Sequence, residues 1–255
     1  MTVSVFLDWF GVLANNGEMT RRWRIVEARL LHNLYGGRLS TWVAVHDRAF
    51  RWYLNYWARH GPDSKASYRE IWKQGEVEWM RRTLTWGRVD PPTSEKELFG
   101  LNRKLTYEIT RRINVAYPFS RKFLASLRRR KFRPFLVSGA DSTYVKGALG
   151  ATRFNKYFER AFSPDQLDAF KGSLLYWKRI LKLSLSDPES SVVVDDRARF
   201  LCVPAKLGLT TILVGPDNPS TQRFVTVRNV SEVDWTVVLP SLKKRGTHAS
   251  LVRIA

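Results

Sequence analysis

The sequence predicts an α/β protein in which a parallel sheet flanked by helices is interrupted by an all-helical insertion. Three observations predict it. Short apolar runs end at polar residues, strand and helix alternate after residue 114, and residues 15–113 show helical periodicity with no convincing strand.

The first run, Val3 to Leu7, ends at Asp8 and turns through Gly11 and Asn15-Asn16-Gly17, which reads as a buried strand with a carboxylate at its C-terminal end. From Thr20 the period becomes helical, with Trp23, Val26, Leu30 and Leu34 on one face until Gly36-Gly37 stops it. Trp42, His46, Ala49, Phe50, Tyr53 and Trp57 mark a second helix that His60-Gly61-Pro62 ends. A third helix runs from about Ser67 to Leu84. A fourth follows Pro91-Pro92, where Ser94 and Glu97 form a capping box ahead of Leu98, Leu101, Leu105 and Ile109. After Tyr117-Pro118 come a helix from Ser120 to Arg130, a strand from Pro134 to Val137 ending at Ser138-Gly139, and a helix near Tyr144. Ser191 to Val194 is a strand ending at Asp195-Asp196, followed by a helix through Leu207, a Gly208 cap and a strand from Thr210 to Val214. The implied division is a core of residues 1–14 and 114–255 with a helical cap of residues 15–113; the tail from Lys243 to Ala255 looks loosely held.

At 255 residues the chain can bury a core and an insertion, and 44% hydrophobic with 13% aromatic residues is the composition of a folded protein. One cysteine, Cys202, excludes an internal disulfide and a multi-cysteine zinc site. No apolar stretch approaches membrane-spanning length and the N-terminus enters a strand directly, so a cytoplasmic location with no membrane partner is expected. The net charge of +20 makes nucleic acid a candidate partner, and Arg128, Arg129, Arg130, Lys131 and Arg133 are the densest basic cluster, with Lys243-Lys244-Arg245 a second. A solvated helix face is the simpler reading of that cluster. Seven of the ten tryptophans fall in the insertion, where helical spacing reads them chiefly as core.

In an open parallel sheet, strand C-termini converge on one crevice. Asp8, Ser138 and Asp195-Asp196 stand at three such ends, and Lys171, in Phe170-Lys171-Gly172, opens the helix before the last of them. Carboxylates, a lysine and a hydroxyl are what metal-assisted attack on a phosphorylated substrate requires.

These residues resemble the haloacid dehalogenase-like (HAD) superfamily, in which four short motifs occur in order on a Rossmann-like core. Val-Phe-Leu-Asp8-Trp9-Phe10-Gly11 is similar to motif I, Phe-Leu-Val-Ser138-Gly139 to motif II, Lys171 to motif III and Val-Val-Val-Asp195-Asp196 to motif IV. The resemblance covers residues 3–14 and 114–216 and implies a C1-type helical cap between the first two motifs. It also implies Asp8 as a nucleophile forming an aspartyl intermediate, with Ser138 and Lys171 holding the transferring group. Trp9, Phe10 and Gly139 would border a small phosphorylated substrate. Asp8, Asp195, Asp196 and the Phe10 carbonyl would hold Mg2+.

One position departs from the pattern. The family's phosphatases carry a second Asp two residues after the nucleophile, where this chain has Phe10, and a phenyl ring moves no proton. Haloacid dehalogenases carry Tyr there and expel halide without a metal; phosphonoacetaldehyde hydrolases have Asp-Trp-Ala-Gly but need a cap lysine not identifiable here. Three readings result: a magnesium-dependent hydrolase with unusual turnover, a HAD fold that binds RNA, DNA or the ribosome through basic patches, or a dehalogenase. His32, His46 and His60 are candidates for the missing acid, each more simply read as a packing or surface residue.

Overall fold

The computed structural model describes residues 2–61, 66–215, 224–236 and 238. Among these residues, six parallel strands stand in the order β3-β2-β1-β4-β5-β6: β1 Ser4–Leu7, β2 Arg133–Val137, β3 Arg160–Phe162, β4 Ser191–Asp195, β5 Thr210–Val214 and β6 Val225–Val227. The central strands are buried end to end, as a sheet covered on both faces demands. Alternate side chains sort to the two faces. Val5, Leu7, Val192 and Val194 enter one apolar cluster, while Phe6, Val193, Phe135 and Val137 enter the other. α5 (Ser120–Arg129) and α6 (Ser142–Thr152) cover the first face; the four-residue α7 (Pro164–Leu167), α8 (Leu174–Ser184) and α9 (Ala198–Lys206) cover the second.

Among the described residues, four helices occupy the segment between β1 and α5: α1 Asn16–Tyr35, α2 Leu39–Arg59, α3 Tyr68–Trp86 and α4 Glu95–Thr110. The Asn15-Asn16-Gly17 stretch is the start of α1 and not a turn, because the Asn15 side chain accepts from the Glu18 amide at 2.9 Å and caps the helix. Gly36 ends it at φ 73°, a positive value that favours glycine. The reciprocal capping box lies at Ser67–Glu70 on α3, whereas at Ser94 the structure records only the bond from the Glu97 amide. The buried Glu27 carboxylate joins three helices, accepting from Trp23 Nε1 at 2.9 Å and Trp79 Nε1 at 3.3 Å and meeting His46 Nδ1 at 2.5 Å. The insertion is not a separate hydrophobic body: Met80, Leu98 and Ile109 belong to the same apolar cluster as Val5 and Val194. α4 lies so close to α6 that a Cβ at Gly147 would overlap the Thr110 side chain.

Two three-residue edge strands, β3 and β6, escape the sequence reading. No helix of the described residues is long and apolar enough to cross a membrane. Pro62 and the tail from Lys243, including Lys243-Lys244-Arg245, lie outside the described residues.

Candidate active site

The strand order reverses at β1, with β2 and β3 on one side and β4 to β6 on the other; such a switch point opens a crevice beyond the strand C-termini. One residue past the Leu7–Val194 pairing, the Asp8 amide donates to the Val194 carbonyl at 3.0 Å, which stands Asp8 beside Asp195. Lys171, from the loop between α7 and α8, reaches both: its Nζ lies 2.6 Å from Asp8 Oδ1 and 2.7 Å from Asp195 Oδ2. Asp8, Asp195 and Asp196 each offer an oxygen within 4.8 Å of the others.

Local backbone explains this gathering. Gly11 has φ 73°, and a Cβ there would sit inside the Asp196 carboxyl, so only glycine lets the turn after β1 pass the third acid. The Asp195 Oδ1 accepts from the Arg197 amide at 2.9 Å, which fixes the carboxylate toward the lysine. The Lys171 ammonium lies 4.9 Å from the Phe200 ring centroid, and Gly172, φ 92°, keeps the chain clear of that ring. At the end of β2, Ser138 Oγ accepts from the Ala140 amide at 3.0 Å and the Ser138 carbonyl accepts from Tyr176 Oη at 2.9 Å.

The electrostatics follow from burial. Removal from water pushes the Asp8 carboxyl up to about 7; the Lys171 ammonium pulls it down, and Asp195 and Asp196 push it further up. Burial opposes the Lys171 charge, yet the carboxylates of Asp8 and Asp195 outweigh it and hold the ammonium above its ordinary pKa. Asp196 is raised by burial and by its neighbour Asp195. Three acids and one ammonium leave a local excess of negative charge, and hard carboxylate oxygens at this spacing suit a small divalent cation.

A cavity of about 900 Å³ opens between these strand ends and the helical insertion, lined by Phe10, Gly139, Lys171 and a wall of aromatic side chains. Four of the seven insertion tryptophans, Trp23, Trp57, Trp72 and Trp79, line it. The insertion tryptophans are core as well as wall: Trp42 and Trp79 are buried, 2% and 8% exposed, and Trp23 and Trp86 pack against the apolar cluster, while Trp52 and Trp86 lie under the guanidinium of Arg82. Trp9 also departs from expectation. It is 2% exposed, packs edge-on against Phe154 and is not among the lining residues, because alternation turns it into the core beneath Asp8. Phe10 faces the cavity and meets the Tyr144 ring at 5.6 Å. Of the histidines, His32 is bound to the Gly37 carbonyl, His46 is held by Glu27, and His60 stacks on Tyr56; His46 and His60 border the cavity. Sequence reasoning missed Glu76, a buried carboxylate in the cavity wall, because an acid at mid-helix reads as solvent-facing.

In the basic cluster, Arg128, Arg129, Arg130 and Lys131 are exposed at the end of α5. Arg133 is not: its guanidinium is half-buried, binding Glu159 at 2.9 Å and the Ser184 carbonyl at 2.9 Å.

A buried aspartate braced by lysine at the switch point of a parallel α/β sheet defines a site of the hydrolase type. The chain belongs to the haloacid dehalogenase-like hydrolase family, whose sequence model matches residues 4–199. No curated protein matches it. Among solved structures it is similar to the HAD-hydrolase YfnB of Bacillus subtilis bound to magnesium, at 13% identity and TM-score 0.64, covering 91% of this chain and 96% of that one. An L-2-haloacid dehalogenase of Xanthobacter autotrophicus with chloropropionic acid covalently bound is similar at 15% identity and TM-score 0.53, with 87% and 80% covered. The β-phosphoglucomutase of Clostridium difficile is similar at 10% identity and TM-score 0.57, with 97% and 100% covered. At these identities the likeness shows the fold.

Proposed function

We propose that the protein is a magnesium-dependent hydrolase of a small phosphorylated substrate, with α1 to α4 as its cap and Asp8 as nucleophile. The observation that carries this reading is the trio of carboxylates within 4.8 Å, more negative charge than Lys171 alone offsets. Magnesium held by Asp8, Asp196, Asp195 and the Phe10 carbonyl would supply charge neutralisation for the acids and the phosphoryl group. Asp8 forms the bond to phosphorus as the ester bond to the leaving oxygen breaks. Water then attacks that phosphorus, releasing orthophosphate and restoring the carboxylate. Lys171 steadies Asp8 in its ionised form and Ser138 offers a hydroxyl to the phosphoryl oxygens. Phe10 supplies no proton to the leaving oxygen, which favours substrates whose leaving group departs as a stable anion or draws its proton from solvent.

The test is hydrolysis of p-nitrophenyl phosphate, whose leaving group needs no acid. Turnover should require magnesium, vanish with chelator and vanish in Asp8→Asn. Chelator-insensitive halide release from 2-haloacids, with no phosphatase activity, would replace this reading by a dehalogenase.

A second reading rests on the exposed run Arg128 to Lys131, none of which has an ion-pair partner among the described residues, in a chain of charge +20. That run fits a nucleic-acid backbone. Salt-sensitive retention on RNA, weakened by Gln at positions 128 to 130 and unaltered by Asp8→Asn, is its expected signature.

A further inference from the structure

The cavity wall contains a polar feature that the phosphoryl chemistry does not use. Phe50, Tyr53 and Trp57 on α2, and Trp72, Glu76 and Trp79 on α3, recur at three- and four-residue steps and turn one face of each helix to the cavity. Glu76 is thus a carboxylate set among rings, 6% exposed. It accepts from Tyr53 Oη at 2.6 Å and from Asn102 Nδ2 at 2.8 Å, which leaves acceptor positions on both oxygens unspent. Its nearest cation, Arg103, is shared: Nη1 pairs with Glu76 at 3.9 Å while Nη2 binds Asp141. One guanidinium shared by two carboxylates offsets the charge of only one of them once both are ionised. Glu27, the other buried acid of the insertion among the described residues, differs: three side-chain nitrogens surround it and it does not line the cavity.

A second observation points to an occupant. Tyr144, 8% exposed and lining the same cavity beside Phe10, has a buried hydroxyl with no hydrogen-bond partner. A ligand oxygen near the phosphoryl end would satisfy it. Aromatic faces attract cations through their quadrupoles, most strongly when water is excluded, and a carboxylate behind them adds a full charge.

We propose that this cavity selects phosphate esters whose organic part ends in an ammonium group, with Glu76 and the rings of Tyr53, Trp57 and Trp79 receiving the cation. The proposal rests on the hydrolase reading for its phosphate end only. The anion faces Lys171, Arg197 and Arg199, which line the cavity as well, and the cation faces Glu76.

The probes are choline and 3,3-dimethylbutanol, which differ only in a charged nitrogen against a neutral carbon, followed by tryptophan fluorescence. At pH 8, where Glu76 has given up its proton, choline should bind the wild-type protein about ten-fold or more tightly than its carbon isostere. In Glu76→Gln the preference should fall to near parity, with affinity for the isostere retained. Equal or weaker binding of choline to the wild-type protein, a comparison that requires no variant, overturns the proposal. Turnover of p-nitrophenyl phosphate reports on the hydrolase reading separately: active enzyme without choline preference refutes only the ammonium pocket, and choline preference without turnover refutes only the hydrolase.

Discussion

Lys171→Met removes one ammonium and little volume, and its cost can be worked from the site. Nζ lies 2.6 Å from Asp8 and 2.7 Å from Asp195, both buried. Without it, three carboxylates within 4.8 Å keep no side-chain cation in contact among the described residues. Breaking a buried pair by deleting one partner costs about 3–5 kcal/mol. In a chain of this size that corresponds to a fall in Tm of roughly 10 °C. The deficit depends on pH with a definite sign. Burial already raises Asp8 to about 7, and loss of the ammonium raises it further. The folded variant therefore binds protons that the unfolded chain releases near 4, and its stability declines as pH rises through and beyond neutrality. Thermal unfolding in chelator should show the large deficit at pH 8 and less than half of it at pH 5, and millimolar magnesium at pH 8 should restore part of it. A variant that melts within about 2 °C of wild type at pH 8, where 3–5 kcal/mol is expected, would refute the reasoning.

Gly11→Ala should lose roughly 1–2 kcal/mol from its left-handed backbone and, by displacing the Asp196 carboxyl, weaken magnesium dependence in a metal titration of turnover. Phe10→Asp restores an acid-base group facing the cavity and should raise hydrolysis of alkyl phosphates, up to about 10²-fold, more than that of p-nitrophenyl phosphate. Burial, and next Asp141, push Glu76 up to about 7 from 4.5, so the folded protein holds this proton where the unfolded chain has lost it. Stability associated with Glu76 is present below about 4.5 and drains away as pH rises to about 7, a difference on the order of 3 kcal/mol, and urea melts of Glu76→Gln should be flatter than wild type across that window.

The candidate site positions at the strand ends were legible because each follows an apolar run, where the sheet itself performs the alignment. Asp8, Ser138 and Asp195 needed only strand periodicity to be placed, and Lys171 only a turn and a helix start. What was not legible depended on partners distant in sequence. Arg160–Phe162 and Val225–Val227 are too short to show a period and become strands only because β2 and β5 offer them an edge. Trp9 and Phe10 are adjacent aromatics that sequence cannot separate, yet one enters the core and the other the cavity. Trp23 on α1, Trp57 on α2, and Trp72 and Trp79 on α3 line the cavity because those helices border it, a placement no local pattern encodes. Glu76 was invisible for the same reason.

The shared apolar cluster beneath α1 to α4 carries a thermodynamic consequence. Met80, Leu98 and Ile109 share one apolar layer with Val5 and Val194, so the insertion and the first face of the sheet lose their shelter from water together. Heating should therefore yield a single calorimetric peak, and a fragment spanning residues 15–113 should remain uncollapsed on its own.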